Sequence, residues 1–238
     1  MTSEHTIKSF DSDLQDLARM VAEMGGLAEK EIADSVDALA KRDTELARRV
    51  ITVDATIDAI QHEIEDKAIL TLARRQPMAI DLREIVSALR VSNDLERIGD
   101  LAKNIGKRVI ALNGEFPPPK LIRGVEHMAE LVLNQLTDVL DSYGRRDVDK
   151  AVAVWKGDEE IDAMCTSLFR ELLTYMMEDP RNIGFCIHLL FCAKNIERMG
   201  DHATNIAETV HFMIQGQPIG EPRPKGDTTS FAALSKQG

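Results

Sequence analysis

The feature that most restricts the fold of this chain is an internal duplication. The ten residues from Glu96 to Ile105 recur from Glu197 to Ile206, and seven of the ten positions are identical. Further matches lie upstream at a constant spacing of 104 residues, and they pair Met24 with Met128, Asp43 with Asp147, Asp54 with Asp158 and Asp58 with Asp162. A duplicated plan of this length predicts two copies of one supersecondary unit, arranged in tandem.

Both copies carry apolar residues at the spacing of amphipathic helices. From Leu14 to Leu39 the apolar residues step by three or four positions, which places them on one helix face. Breakers at residues 41–43 and at Gln76–Pro77 divide the first copy into three such segments, and Pro117–Pro119 ends it. Only 4% of the residues are aromatic, and this composition favours helix over sheet.

We therefore predict an all-α fold, a tandem repeat of two three-helix bundles with six helices related by a pseudo-two-fold axis. The predicted domains are residues 1–114, residues 115–215 and a flexible C-terminal tail at 216–238, which is rich in Gly, Pro, Ser and Thr. The first helix is expected to begin near the Asp11 cap. The fifth is expected to run unbroken from about Asp147 to Met177.

Charge and composition exclude several classes of protein. There are 29 Lys and Arg against 40 Asp and Glu, so the net charge is −11, which argues against nucleic-acid binding. No apolar run approaches the roughly 20 residues of a membrane span, and the N-terminus has no secretion signal. The three cysteines form no CxxC pair, which is typical of buried thiols in a reducing compartment. We expect a cytoplasmic protein without direct membrane insertion.

Each copy also carries two acidic pairs spaced four residues apart. We call Asp54, Asp58, Glu96 and Asp100 the first acidic group, and Asp158, Asp162, Glu197 and Asp201 the second acidic group. A spacing of four places both carboxylates of a pair on one helix face. A single pair of this kind is most often a solvated surface, so the pairs become informative only through their register.

The register about the turn brings the two pairs of a copy to one height. Asp58 lies 19 residues before Pro77 and Glu96 lies 19 after it, while Asp54 and Asp100 each lie 23 residues away. An antiparallel hairpin would therefore place four carboxylates side by side. In the second copy the distances from Pro180 are 18 and 22 residues before and 17 and 21 after, a mismatch of one step.

Four anions held this close need a compensating cation or shared protons. A hard metal ion with oxygen ligands is the natural partner, and Asn104 and Asn205 extend each stripe as weaker ligand candidates. Gly99 and Gly200 predict a close approach of helices at the same level, because glycine inside a helix costs about 1 kcal/mol relative to alanine. The alternative is a surface network in which Lys103 and neighbouring arginines neutralise the acids.

Enzymatic alternatives have weaker support. A di-iron site of the ferritin-like kind needs Glu-x-x-His on two helices, and the acidic motifs here have no His at that step. The sequence also lacks a glycine-rich phosphate loop, a Gly-x-Ser-x-Gly elbow and a His-Glu-x-x-His motif. A carboxylate-bridged metalloenzyme and a purely structural helical scaffold stay open at this stage.

Several segments resemble the PhoU family, whose members are accessory proteins of the phosphate-specific transport system. They are residues 73–77 with 81–83, residues 174–179, and the doubled Glu-Arg-x-Gly-Asp motif at 96–100 and 197–201. The resemblance implies two three-helix bundles whose paired acidic motifs bind metal ions, in some members as multinuclear clusters. The implied metals are Fe, Mn, Mg or Zn, and the implied ligands are Asp54, Asp58, Glu96, Asp100, Asp158, Asp162, Glu197 and Asp201.

The resemblance also implies a function. Family members are cytoplasmic, often homodimeric and not regarded as enzymes. They act as negative regulators of phosphate uptake and of the phosphate-starvation response. Their expected partners are the ATPase subunit of the phosphate ABC transporter and a phosphate-sensing histidine kinase, which they are thought to bridge.

Overall fold

Long helices joined by short turns make up the fold. The computed structural model describes residues 2–112 and 117–220, with side chains from residue 11 onward. The helices are α1 (Thr2–Lys41), α2 (Thr44–Arg75), α3 (Ile80–Ala111), α4 (Pro119–Arg145), α5 (Val148–Lys156), α6 (Asp158–Glu178) and α7 (Ile183–Gln215), with a 3-10 turn at Pro180–Asn182. These ranges contain no strand, so the predicted all-α class is confirmed. No helix among the described residues is long and apolar enough to cross a membrane.

The first turn of each copy is built in the same way. Arg42 and Arg146 end α1 and α4 in the left-handed region, with φ of 57° and 56°. The next residue, Asp43 or Asp147, caps the following helix, since its carboxylate accepts a backbone N–H of that helix's first turn. Such a cap stabilises a helix by about 1 kcal/mol. The sequence duplication at this turn is therefore a duplication of backbone geometry.

The two copies share one core. Buried apolar side chains from all seven helices form a single contiguous cluster, and α3 packs along α7. The Arg108 guanidinium lies 4.3 Å from the ring centroid of Phe191, and that of Arg90 lies 5.1 Å from Phe212, so α3 and α7 run antiparallel. The pairing joins the two helices that carry the Glu-Arg-x-Gly-Asp motifs.

Two helix predictions were wrong in detail. The first helix begins at Thr2 rather than near Asp11, because a capping residue favours a helix start but does not prevent the helix from extending further upstream. The predicted fifth helix is interrupted at Gly157 and consists of α5 and α6. Glycine has low helix propensity, and the acidic residues 158–160 that follow interact favourably with the dipole of a new helix N-terminus.

Parts of the domain prediction lie outside the described residues. The predicted boundary between residues 114 and 115 falls in the range 113–116, and most of the predicted tail lies beyond residue 220. The division into these domains stays a prediction. Within the described ranges the six-rod plan holds, with α5 and α6 forming the fifth rod.

Removing the first duplicated cap should destabilise the protein measurably. We expect Asp43→Ala to lower the free energy of unfolding by about 1 kcal/mol, because the N–H groups of Glu45 and Leu46 lose their acceptor. Urea unfolding monitored by circular dichroism measures the change. Asp43→Asn retains an acceptor and should stay close to wild type; equal stability of the Ala and Asn variants would contradict the role of the cap.

Candidate functional site

The first acidic group lies at the contact of α2 and α3. Asp54 is buried, while Asp58, Glu96 and Asp100 are partly buried. The ammonium of Lys103 lies 2.5 Å from Asp54 Oδ2 and 2.6 Å from Asp100 Oδ1, so it bridges the two helices. Asp54 and Asp100 were predicted to face each other, and a single nitrogen joins them.

Electrostatic coupling connects the whole first acidic group. Burial raises the pKa of Glu96; Arg97 opposes this rise, whereas Asp100, Asp58 and Asp54 add to it. Burial likewise raises the pKa of Asp54, and Lys103 is the main opposing influence. The hairpin therefore places the four acids within range of one another's charge.

Lys103 is the counter-ion of this group. Its side chain is only 22% exposed. Burial lowers the pKa of Lys103, but its hydrogen bonds to Asp100 and Asp54 outweigh that effect and hold the pKa above its ordinary value. The ammonium therefore stays charged in neutral solution.

Glu31 on α1 is a site residue that sequence reasoning missed. It is 2% exposed, and neither carboxylate oxygen has a hydrogen-bond partner. A Cβ placed on Gly99 would lie 3.3 Å from Glu31 Oε2 and 3.4 Å from Asp54 Oδ1, so both oxygens lie against this glycine. The available signal was its position, since Glu31 follows Met24 and Ala28 on the apolar face of α1.

The pKa of Glu31 is raised to about 8. Burial is the largest cause, and the nearby charge of Asp54 adds to it, while Lys103 opposes both. The carboxyl group of Glu31 is therefore largely protonated at neutral pH. A buried carboxyl without a partner is costly in its charged form, and protonation removes that cost.

The second acidic group lies at the contact of α6 and α7. Asp158 and Asp162 are buried, at 2% and 7% exposed, and Glu197 and Asp201 are partly buried. Burial raises the pKa of Glu197; Lys194 opposes the rise, and Asp162 and Asp201 add to it. The acids of the second copy are therefore also near neighbours.

Two positions differ in charge between the copies. Thr204 occupies the place of Lys103 in the duplicated motif, and its hydroxyl lies 3.3 Å from Asp158 Oδ1 as a donor. Gln135 lies 104 residues after Glu31, and its Oε1 is buried without a partner, 3.7 Å from a Cβ placed on Gly200. The second copy thus keeps the geometry but replaces an ammonium with a hydroxyl and a carboxyl with an amide.

The glycine prediction is confirmed, and the asparagine suggestion is not supported. Added Cβ atoms at Gly99 and Gly200 would each lie 3.1 Å from an isoleucine of the facing helix, so close helix approach requires glycine. Asn104 Oδ1 accepts from Lys107 at 3.3 Å, and Asn205 Nδ2 donates to Asp94 at 3.3 Å. Both amides are engaged away from the acidic groups.

The donor chemistry fits a hard cation, although the side chains are not arranged as a finished metal site. Across residues 2–112 and 117–220, no group of three or more His, Cys, Asp and Glu is close enough to hold a metal ion as the side chains stand. The eight-ligand set therefore stays a prediction. All its donors are carboxylate oxygens, and the buried, unpartnered Glu31 lies beside Asp54.

Replacing Glu31 should change how stability depends on pH. The folded-state pKa of about 8 lies above the ordinary value of 4.5, so stability is lost as the pH rises between these values. In chelator-treated protein, we expect Glu31→Gln to raise Tm relative to wild type by several degrees more at pH 9 than at pH 5. Thermal unfolding measures this difference.

The matched control for this experiment is Glu23→Gln, which removes a carboxylate from the exposed face of the same helix. Its Tm difference from wild type should stay constant between the two pH values. An equally constant difference for Glu31→Gln would contradict the assignment of a raised pKa to Glu31.

Comparison with known proteins agrees with the duplicated architecture. The family model described as "PhoU domain" matches the chain twice, at residues 21–109 and 125–210. The chain is 59% identical to the phosphate-specific transport system accessory protein PhoU homolog of Rhizobium meliloti over 97% of each chain. It is 51% identical to the homolog of that name from Caulobacter vibrioides, covering 96% of this chain and 99% of the relative.

Solved structures show the same fold. The crystal structure of PhoU from Pseudomonas aeruginosa aligns with a TM-score of 0.83 at 39% identity, covering 87% of this chain and all of that chain. The phosphate transport system regulatory protein PhoU from Streptococcus pneumoniae aligns with a TM-score of 0.82 at 28% identity, covering 89% of this chain and all of that one. With its two matched domains and near full-length relatives, this chain belongs to the PhoU family.

Proposed function

We propose that this protein is a regulatory accessory protein of a phosphate-specific transport system. The observation that carries the proposal is full-length similarity to relatives of that name, at 59% and 51% identity, together with both copies of the acidic motif. In this role it acts as a cytoplasmic, homodimeric adaptor. It bridges the transporter's ATPase subunit and a phosphate-sensing histidine kinase, and it limits phosphate uptake and the phosphate-starvation response.

The surface suits protein contacts. Large apolar side chains with at least 39% exposure recur every four residues on the outer faces of α6 and α7: Phe169, Leu173, Met177, Ile183, Ile187 and Phe191. Exposed apolar faces of this kind are typical of surfaces that bind proteins. The net charge of −11 favours partners with basic surfaces and accelerates their association. Both properties support an adaptor rather than an enzyme.

Metal binding at the two acidic groups is part of the proposal. Asp54, Asp58, Glu96 and Asp100 would hold ions at the first group, and Asp158, Asp162, Glu197 and Asp201 would hold them at the second. A bound cation neutralises the clustered carboxylates. Because each group draws its ligands from both helices of a hairpin, occupancy would stiffen that hairpin and shape the surface it presents to a partner.

The alternative that a specific observation favours is a purely structural scaffold whose acids are neutralised internally. Lys103 already bridges Asp54 and Asp100, and Arg97 lies 3.4 Å from Glu96 and 3.8 Å from Asp100. In that alternative the chain retains less than one ion after dialysis and its stability is insensitive to added Mn²⁺, Fe²⁺ or Mg²⁺. Metal analysis of the purified chain separates the two hypotheses.

Loss of the gene should derepress the phosphate-starvation response. We expect a deletion strain grown in high phosphate to express phosphatase constitutively and to accumulate excess phosphate, because the transporter and the kinase lose their restraint. Phosphatase assays and phosphate uptake measure the two effects, and the wild-type gene supplied in trans is the control. Normal repression in the deletion strain would overturn the regulatory role.

Removing one acidic pair should remove only the ions of its own group. We expect Glu197→Ala/Asp201→Ala, dialysed against Mn²⁺, to lose the ions of the second acidic group and to keep those of the first. Inductively coupled plasma mass spectrometry counts the ions. The matched control is Glu126→Ala/Glu130→Ala, an acidic pair with the same spacing on α4. Unchanged metal content in the first variant would show that the second site is misplaced.

A further inference from the structure

We propose that Lys103 is a tethered competitor for metal at the first acidic group, so that the two groups load in order, the second before the first. This inference rests on the proposed binding of metal by the acidic groups. It concerns residues that make the two copies unequal, and neither acidic pair itself distinguishes the copies.

The position of Lys103 is that of an internal cation. Its Nζ lies within 2.6 Å of carboxylate oxygens from both α2 and α3, and its side chain is 22% exposed. A metal ion that binds Asp54 and Asp100 together must displace this ammonium. The long, flexible lysine stem allows the ammonium to withdraw toward solvent, so displacement is possible but opposed.

The second acidic group has no equivalent competitor in the same place. Thr204, at the position of Lys103, offers a neutral hydroxyl to Asp158. Lys194 lies 2.5 Å from Glu197 Oε2, but it belongs to the same helix as that acid and its side chain is 52% exposed. Exposed ion pairs of this kind contribute little. An ion entering the second group therefore competes with a weaker partner.

Glu31 explains how the first group can carry a lysine at all. The first copy has one more carboxyl and one more ammonium than the second, which has Gln135 and Thr204 instead. The Glu31 carboxyl is buried without a partner beside Asp54 and Gly99. Once Lys103 withdraws, this carboxyl is an additional oxygen donor at the first group. The pair of differences makes the first group a site that is closed by its own cation and open to a stronger one.

The size of the effect follows from the contacts that are lost. A tethered group acts at an effective concentration in the millimolar range or higher. Displacing two hydrogen bonds between charged groups reduces apparent affinity by roughly 10- to 100-fold. The first group should therefore fill at a metal concentration at least about tenfold higher than the second.

The test uses the full-length, metal-free chain titrated with Mn²⁺ alone, with free Mn²⁺ followed by electron paramagnetic resonance. We expect two classes of site in the wild type. Asp158→Asn/Asp162→Asn should abolish the tighter class and leave the weaker one. In that background, Lys103→Thr should tighten the remaining class by about tenfold or more.

Matched variants separate the role of Lys103 from general charge effects. Lys107→Thr removes the same charge one turn along α3, from an exposed side chain, and should change affinity by less than about twofold. Lys103→Arg keeps a cation at the site and should not tighten binding. Lys103→Gln removes the charge but keeps most of the side chain, and it replaces the Thr variant if circular dichroism shows that the latter does not fold.

The outcomes distinguish this inference from the proposal beneath it. Equal affinity at both groups, loss of the weaker class in the Asp158→Asn/Asp162→Asn variant, or no tightening by Lys103→Thr or Lys103→Gln would overturn the loading order while leaving metal binding intact. Absence of Mn²⁺ binding to the wild type would overturn metal binding itself and the loading order with it. Tightening by the Lys103 variants alone would establish the competitor.

Discussion

Compensation of buried carboxylate charge is the constraint on which the candidate site depends. A carboxylate inside a helical bundle must find a cation, a proton or a hydrogen-bond donor, because an uncompensated buried charge costs several kcal/mol. The first acidic group uses two of these solutions at once: Lys103 neutralises Asp54 and Asp100, while the raised pKa of Glu31 keeps its carboxyl protonated. In the second group a hydroxyl of Thr204 serves Asp158 instead.

These acids can be buried only because the hairpins are tightly packed. Gly99 and Gly200 allow a facing isoleucine to approach within contact distance, and the oxygens of Glu31 and Asp54 also lie against Gly99. The α3–α7 pairing then joins both sites to one core, with Asp94 of α3 lying 2.8 Å from the ring of His202, next to Asp201 on α7. A change at one acidic group therefore reaches the other through two adjacent rigid helices, which suits a protein that reports on a state to its partners.

The duplication has kept the architecture and has let the chemistry diverge. The left-handed arginine and aspartate cap of the first turn are retained in both copies, as are the four acids of each group. The differences, Glu31 against Gln135 and Lys103 against Thr204, are confined to the immediate surroundings of the acids. Packing constrains the first set, since any change disturbs the core or a turn. The second set changes charge without changing the helical plan, so the two sites were free to acquire different properties.

The sequence by itself determined the helical class, the repeat and the height at which the acids meet, because apolar spacing, turn residues and distance from the turn are local properties of the chain. It could not reveal that Glu31 joins the first group, since that contact crosses from α1 to α3 and depends on how three helices pack. The break at Gly157 and the upstream extension of α1 depended on competition between weak local preferences. Only the tertiary structure decided that Lys103 rather than an arginine lies between Asp54 and Asp100, because many cations are near in sequence and packing selects the one whose stem reaches both helices.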